Sequence, residues 1–105
     1  MDKELIGMTQ EVLDWIRPHI PDSVRDPMET SIKLSEEASE LSHAIYSGDR
    51  ARVGEECADV MILLLDIIYL CDVDIQMEFM VKMEKNRNRV WKKEKGALKH
   101  ENTDS

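Results

Sequence analysis

The stretch KLSEEASELSHAI, residues 33–45, sets Glu36, Glu37 and Glu40 within five residues of one another. Carboxylates this close repel, and a helix that needed only solubility would intersperse lysines at i+4. A second acidic stretch, EECAD, carries Glu56 and Asp59 and leads straight into the most apolar run of the chain. Glu37 and Glu40 stand at i and i+3, as do Glu56 and Asp59, so each pair shares a face if its segment is helical. Gly48 lies between them. Glu40 is eight residues before it and Glu56 eight after, while Glu37 and Asp59 are each eleven away. A chain reversal at Gly48 therefore brings the two pairs to matched heights on antiparallel neighbours. Two like charges 4 Å apart repel by roughly 4 kcal/mol at an effective dielectric constant of about 20. Four converging carboxylates must take up protons or hold divalent metal. Hard oxygen donors with no His or Cys among them suit Mg²⁺, with Mn²⁺ able to substitute. Magnesium usually joins carboxylates to substrate phosphates. A chain with a net charge of −8 could hold an anionic ligand in that way.

A cationic counterpart lies in KMEKNRNRVW. Lys82, Asn86 and Arg89 follow at i, i+4 and i+7, one stripe of a predicted fourth helix. Lys and Arg pair with phosphate oxygens. Asn both donates and accepts, as a sugar hydroxyl requires. The plain alternative is a solvated basic face near a helix C-terminus, which the macrodipole favours. Lys33, at the head of the first acidic stretch, joins the substrate-binding candidates. Trp15 and His19 could stack on or hydrogen-bond a base, although Trp15 also fits the apolar stripe of the first helix as a core residue. His43 reads as a surface residue, and the seven methionines as core filler.

Four helices must position these groups, and the expected fold class is all-α. The chain has 105 residues and only five aromatic ones, and Met, Leu and Ile are plentiful. That favours one helical domain with one modest core. The first helix is predicted from Lys3 to Arg17, with Leu5, Met8, Val12, Trp15 and Ile16 inward. RPHIPDSVRDP breaks it, because proline cannot continue a helix. The second opens on Asp26 as N-cap with Pro27 at N1 and stops at Gly48. The third runs from Asp49 or Arg50 to Cys71. From Cys57 to Cys71 thirteen of fifteen residues are apolar, with Asp59 and Asp66 the exceptions. A helix apolar all round must be buried all round. Three other short helices can hardly enclose it, so a second subunit should. The fourth helix is predicted from Asp74 to Trp91. Residues 1–91 read as the domain and 92–105 as a mobile polar tail. The acidic balance argues against nucleic acid or an anionic membrane as partner. No apolar run approaches the ~20 residues a membrane span needs. Cys57 and Cys71 sit about 21 Å apart along one predicted helix and cannot pair within it. With no signal-like N-terminus, the expectation is a reduced, cytoplasmic protein.

Taken together, EEASE, EECAD and KMEKNRNR resemble the MazG-like, all-α nucleoside triphosphate pyrophosphatases. The pattern is Glu36-Glu37-x-x-Glu40, a fifteen-residue spacer, Glu56-x-x-Asp59, then Lys82 and Asn86, and the resemblance covers residues 28–91. It implies a four-helix bundle completed by dimerisation, as a homodimer or a homotetramer of two dimers. It implies Mg²⁺-dependent hydrolysis of a (deoxy)nucleoside triphosphate to the monophosphate and pyrophosphate, serving nucleotide-pool control or house-cleaning. Carried over by position, Glu37, Glu40, Glu56 and Asp59 would bind metal, and Glu36 and Glu37 are the candidates for a catalytic carboxylate. Lys82, Asn86 and Arg89 would meet phosphate or sugar. ADVMILLLD resembles small phage and bacterial members that carry an Asp at the place of Asp66. Those relatives often have Arg where this chain has Leu63, which leaves Asp66 without an obvious partner. Two other readings keep the fold and lose the chemistry: a noncatalytic helical dimer acting as an adaptor, and a metal-binding regulatory module.

Overall fold

The two central helices begin and end where the sequence supplies a cap. The computed structural model describes residues 3–89, 91–94 and 96–100. Helix α1 spans Lys3–Ile16, α2 Pro27–Ser47, α3 Arg50–Leu70 and α4 Ile75–Arg87. Asp26 caps α2 by accepting from the Met28 amide at 3.0 Å, with Pro27 in the first turn. Gly48 ends α2 in the left-handed conformation, φ 74°, where a side chain would be strained. Its amide and that of Asp49 close back on Ile45 O and Ala44 O. Asp49 then caps α3 by accepting from the Arg52 amide. Helix α3 ends at another left-handed residue, Asp72, φ 54°. Asp tolerates that region better than most side chains.

The chain forms two units, Met1–Asp74 and Ile75–Ser105. In the first, α2 and α3 make a helical hairpin through Gly48 and Asp49, and α1 packs on α3. Its buried apolar residues are Leu13, Ala44, Leu65 and Ile68. Helix α1 keeps part of its predicted stripe, with Leu5, Val12 and Ile16 half-buried. Leu13 is the residue that is buried, whereas Met8 and Trp15 are exposed, Trp15 to 59%. The 3.6-residue period places Leu13 one residue from Val12, and the crossing of α1 on α3 selects which side goes in.

The loop between α1 and α2 is held by charge. Asp66, in the apolar run of α3, is 6% exposed, and Arg25, just before α2, is 8% exposed. The Arg25 Nε donates to both Asp66 oxygens at 3.1–3.2 Å, and Nη2 donates to Oδ1 at 3.0 Å. Nη1 donates to Ile20 O and to Asp22 Oδ1, both at 2.9 Å. The partner that Leu63 fails to supply thus comes from the loop. Burial alone would lower the Arg25 pKa, but hydrogen bonds from Arg25 to Asp66 and Asp22 outweigh it and hold it raised. Asp22 also accepts from Arg17 and from the Tyr69 hydroxyl, and Arg17 donates to the Tyr69 oxygen. The Arg17 and Tyr69 bonds hold the Asp22 carboxyl well below the usual carboxylate range.

In the second unit α4 stops at Arg87, short of the predicted Trp91. The amides of Asn88 and Arg89 close tighter three-residue turns on Lys85 O and Asn86 O. The Trp91 indole N–H donates to Asn86 O at 2.6 Å. Arg89 therefore lies beyond the helix, off the stripe that Lys82 and Asn86 share. Part of the predicted polar tail takes part in a pair of short strands. Strands β1, Trp91–Glu94, and β2, Ala97–His100, pair antiparallel with Glu94 opposite Ala97. Gly96, just before β2, lies in a turn. The remainder of the tail, 101–105, lies outside the described residues. Among the described residues, no helix is long and apolar enough to cross a membrane.

Candidate metal centre

The facing helices of the α2–α3 hairpin bring three of the four predicted acids together. One carboxylate oxygen each from Glu37, Glu56 and Asp59 lies within 4.8 Å of the others. Glu37 and Glu56 are half-buried and Asp59 is exposed. Gly48 causes this: a two-residue reversal keeps positions equidistant from it side by side. The Glu56 Oε2 is buried and has no hydrogen-bond partner. The adjacent Glu37 carboxylate, to which a protonated Glu56 would donate, raises the Glu56 pKa together with burial and the charges of Glu37 and Asp59, and the charge of Arg52 opposes them.

Glu40 stands outside the trio. Its carboxylate accepts from Arg52 Nη2 at 3.2 Å, a cross-helix pair on the same hairpin. Lys33 lies between two acids of its own helix, its Nζ 3.5 Å from Glu36 Oε2 and 3.7 Å from Glu37 Oε1. Glu36 is largely exposed and faces this lysine. A cleft of about 230 Å³ opens beside the trio, lined by Trp15 and Ile16 of α1, Lys33 and Glu37 of α2, and Asp59, Ile62, Leu63 and Asp66 of α3. Trp15 is thus a cleft wall and not core. The His19 ring meets it edge-on, with centroids 6.1 Å apart.

Lys82, Asn86 and Arg89 belong to the second unit. Lys82 is exposed, and Asn86 Oδ1 and Arg89 Nη2 are buried without hydrogen-bond partners. Sequence reasoning missed Arg25. The available signal was the lone Asp66 in an apolar run, since a buried carboxylate demands a cation.

Oxygen donors at this spacing fit a hard divalent cation. The unpartnered Glu56 Oε2 is an acceptor that such an ion would satisfy. Comparison with known proteins points the same way. Residues 25–94 match the MazG nucleotide pyrophosphohydrolase domain. A dATP/dGTP diphosphohydrolase of Cyanophage S-2L is 41% identical over 101 residues, covering 95% of this chain and 90% of that protein. Another, from Salmonella phage PMBT28, is 39% identical over 87 residues, 82% of this chain but 28% of that longer protein. Among solved structures, the Cyanophage S-2L MazG-like pyrophosphohydrolase, bound to dGDP and three catalytic Mn²⁺ ions per active site, superposes with a TM-score of 0.76. It is 35% identical, with 95% of each chain covered. In sequence, in all-α fold and in its paired acidic helices, this chain belongs to the MazG nucleotide pyrophosphohydrolase family and is an enzyme of that class.

Proposed function

We propose that the enzyme hydrolyses deoxynucleoside triphosphates, purine ones foremost, to the monophosphate and pyrophosphate, with water attacking the α-phosphorus. The observation that carries this is the Glu37–Glu56–Asp59 trio with its unpartnered buried oxygen, opening on a cleft that an aromatic ring walls. The purine preference rests on the phage relatives, which are dATP/dGTP diphosphohydrolases. Glu37, Glu56 and Asp59 would hold Mg²⁺ or Mn²⁺, and Glu40 would join them by leaving Arg52. When bound, such ions neutralise phosphate charge and lower the pKa of the attacking water.

The chain's own groups do the rest. Glu36 and Glu37 are the candidates to take the proton of that water, Glu36 being the more exposed. Lys33 makes only long contacts to its acids and is placed to turn toward a phosphate oxygen. Trp15 offers its face to the base. Lys82, Asn86 and Arg89 are assigned to phosphate and sugar on the family's pattern, and the unpartnered atoms of Asn86 and Arg89 are in keeping with it. In oxygen-18 water the label is expected in the monophosphate, with pyrophosphate as the first co-product, in Mg²⁺ and in Mn²⁺. Orthophosphate with a diphosphate as first products, or label confined to pyrophosphate, overturns the bond assignment.

We further propose that the enzyme works as a dimer or a tetramer of dimers. In the single chain Met61 and Leu64 of α3 are 40% and 45% exposed, and among the described residues no large side chain is fully buried. So small a core cannot offset the entropy of ordering the chain. Sedimentation equilibrium at low micromolar concentration is expected to find no folded 12.2 kDa species. A cooperatively folded monomer overturns the idea. The free, exposed thiols of Cys57 and Cys71 are in keeping with a reduced cytoplasm.

A further inference from the structure

We propose that Trp91 is a positioning residue: it clamps the last turn of α4 so that the Asn86 and Arg89 side chains are held in place for nucleotide. The proposal rests on the reading that assigns those two side chains to phosphate and sugar. Among the described residues three buried side-chain polar atoms lack a hydrogen-bond partner, namely Glu56 Oε2, Asn86 Oδ1 and Arg89 Nη2. The first belongs to the metal centre. The other two are an acceptor and a donor three positions apart, both left open at one helix end. Burying polar groups unmet is costly, so something must hold them there.

No glycine follows α4 before Gly96, so a left-handed glycine does not close this helix. Its last carbonyls are met by the residues just beyond it. The Asn88 side-chain amide donates to Glu84 O at 3.0 Å, and the Asn88 backbone N–H to Lys85 O at 3.2 Å. Asn86 O takes two donors, the Arg89 amide at 3.3 Å and the Trp91 indole N–H at 2.6 Å. The backbone bonds of this turn are long and the indole bond is short, so Trp91 grips the turn most closely. Trp91 in turn pairs with His100 across the hairpin. Strand pairing restrains its backbone, and the indole passes that restraint to the Asn86 carbonyl. The two residues with open atoms are the two that share this carbonyl: Asn86 owns it and Arg89 donates to it. Without the indole the turn frays, and the cost of ordering both side chains falls on nucleotide binding.

Trp91→Phe keeps an aromatic ring and removes the donor. With Mn²⁺ bound, KM for dGTP is expected to rise roughly fivefold, as the loss of one hydrogen bond allows, with kcat unchanged within about twofold. A Trp91 that only supported the fold would reduce the amount of active enzyme, and so kcat, at unchanged KM. Asn86→Ala leaves the backbone carbonyl in place. In a chain carrying Asn86→Ala and Arg89→Ala, Trp91→Phe is expected to move KM by less than about twofold, because the side chains it serves are gone. Where turnover of that chain is too slow, dGDP affinity by calorimetry with Mn²⁺ takes the place of KM. An unchanged KM in the single variant overturns the proposal, as does a fall in kcat alone, or the same rise in the doubly substituted chain. If circular dichroism shows that Trp91→Phe has lost its helices, Trp91→Tyr replaces it, and failure of both to fold makes Trp91 structural and overturns the proposal. If the wild type turns over no nucleotide, the hydrolase reading fails by itself. Calorimetric affinities for dGDP with Mn²⁺ then decide the role of Trp91 on the same terms, and a wild type that binds none overturns it too.

Discussion

Asp59→Asn, Glu56→Gln and Glu37→Gln are each expected to lower turnover by roughly a hundredfold or more, equivalent to about 2.7 kcal/mol of lost transition-state stabilisation. The three carboxylates converge within 4.8 Å, so neutralising any one removes a ligand that the others cannot replace. Helical content should not change, because Asp59 is exposed and Glu56 and Glu37 are only half-buried. Glu40→Gln is expected to match them, which tests whether Glu40 leaves Arg52 in the loaded enzyme. Without metal, Glu56→Gln should melt higher than the wild type at neutral pH. The folded-state pKa of Glu56 is raised by Glu37, by burial and by Asp59, so its ionisation costs stability as pH rises through that value. The difference should vanish in acid, where the wild type carries the proton too. Added Mg²⁺ or Mn²⁺ should stabilise the wild type and not the variant. Two of the four substitutions retaining near-normal activity would falsify the metal assignment.

Arg25→Ala is expected to cost about 3–5 kcal/mol of stability, because it strands a buried carboxylate. The side chains of Arg25 and Asp66 are 4% and 8% exposed, so water cannot stand in for the lost partner. Ile20 O and Asp22 lose a donor as well. The double change Arg25→Met with Asp66→Leu should recover most of the loss, since apolar groups of similar size can replace a buried ion pair. Denaturant midpoints at one fixed protein concentration measure both. A single variant no weaker than the double would mean that solvent already reaches the pair. For a chain this small, such a loss is a large share of total stability. The contrast with Lys33 is instructive. Its contacts to Glu36 and Glu37 are long, and its side chain is 58% exposed. Contacts of that kind contribute little to stability. Lys33 is thus only loosely tied to its neighbours, whereas Arg25 is bound into the fold.

What the sequence determined by itself about this protein is what depends on local spacing. Asp26, Gly48 and Asp49 act on amides and carbonyls within a few residues, so the ends of α2 and the start of α3 follow from chain order alone. The matched distances of Glu37 and Asp59 from Gly48 are of the same kind: a two-residue reversal converts separation in sequence into height along a hairpin. The apolar run of α3 declared a helix short of cover, and Leu64 is exposed in the single chain. Only the tertiary structure decided which side of α1 is buried, because Leu13 and Val12 are neighbours in sequence and the helix crossing chooses between them. It took Trp15 out of the core and set it in the cleft wall. It divided the four acids into a trio and a Glu40–Arg52 pair, a choice among side-chain rotamers that backbone register leaves open. It ended α4 before Arg89, because Trp91 returns to bond Asn86 O. Above all it supplied Arg25 to Asp66 across 41 residues. No period or cap encodes that pairing. It exists because a proline-rich loop folds over α3, and a buried charge takes the one cation that the loop delivers to it.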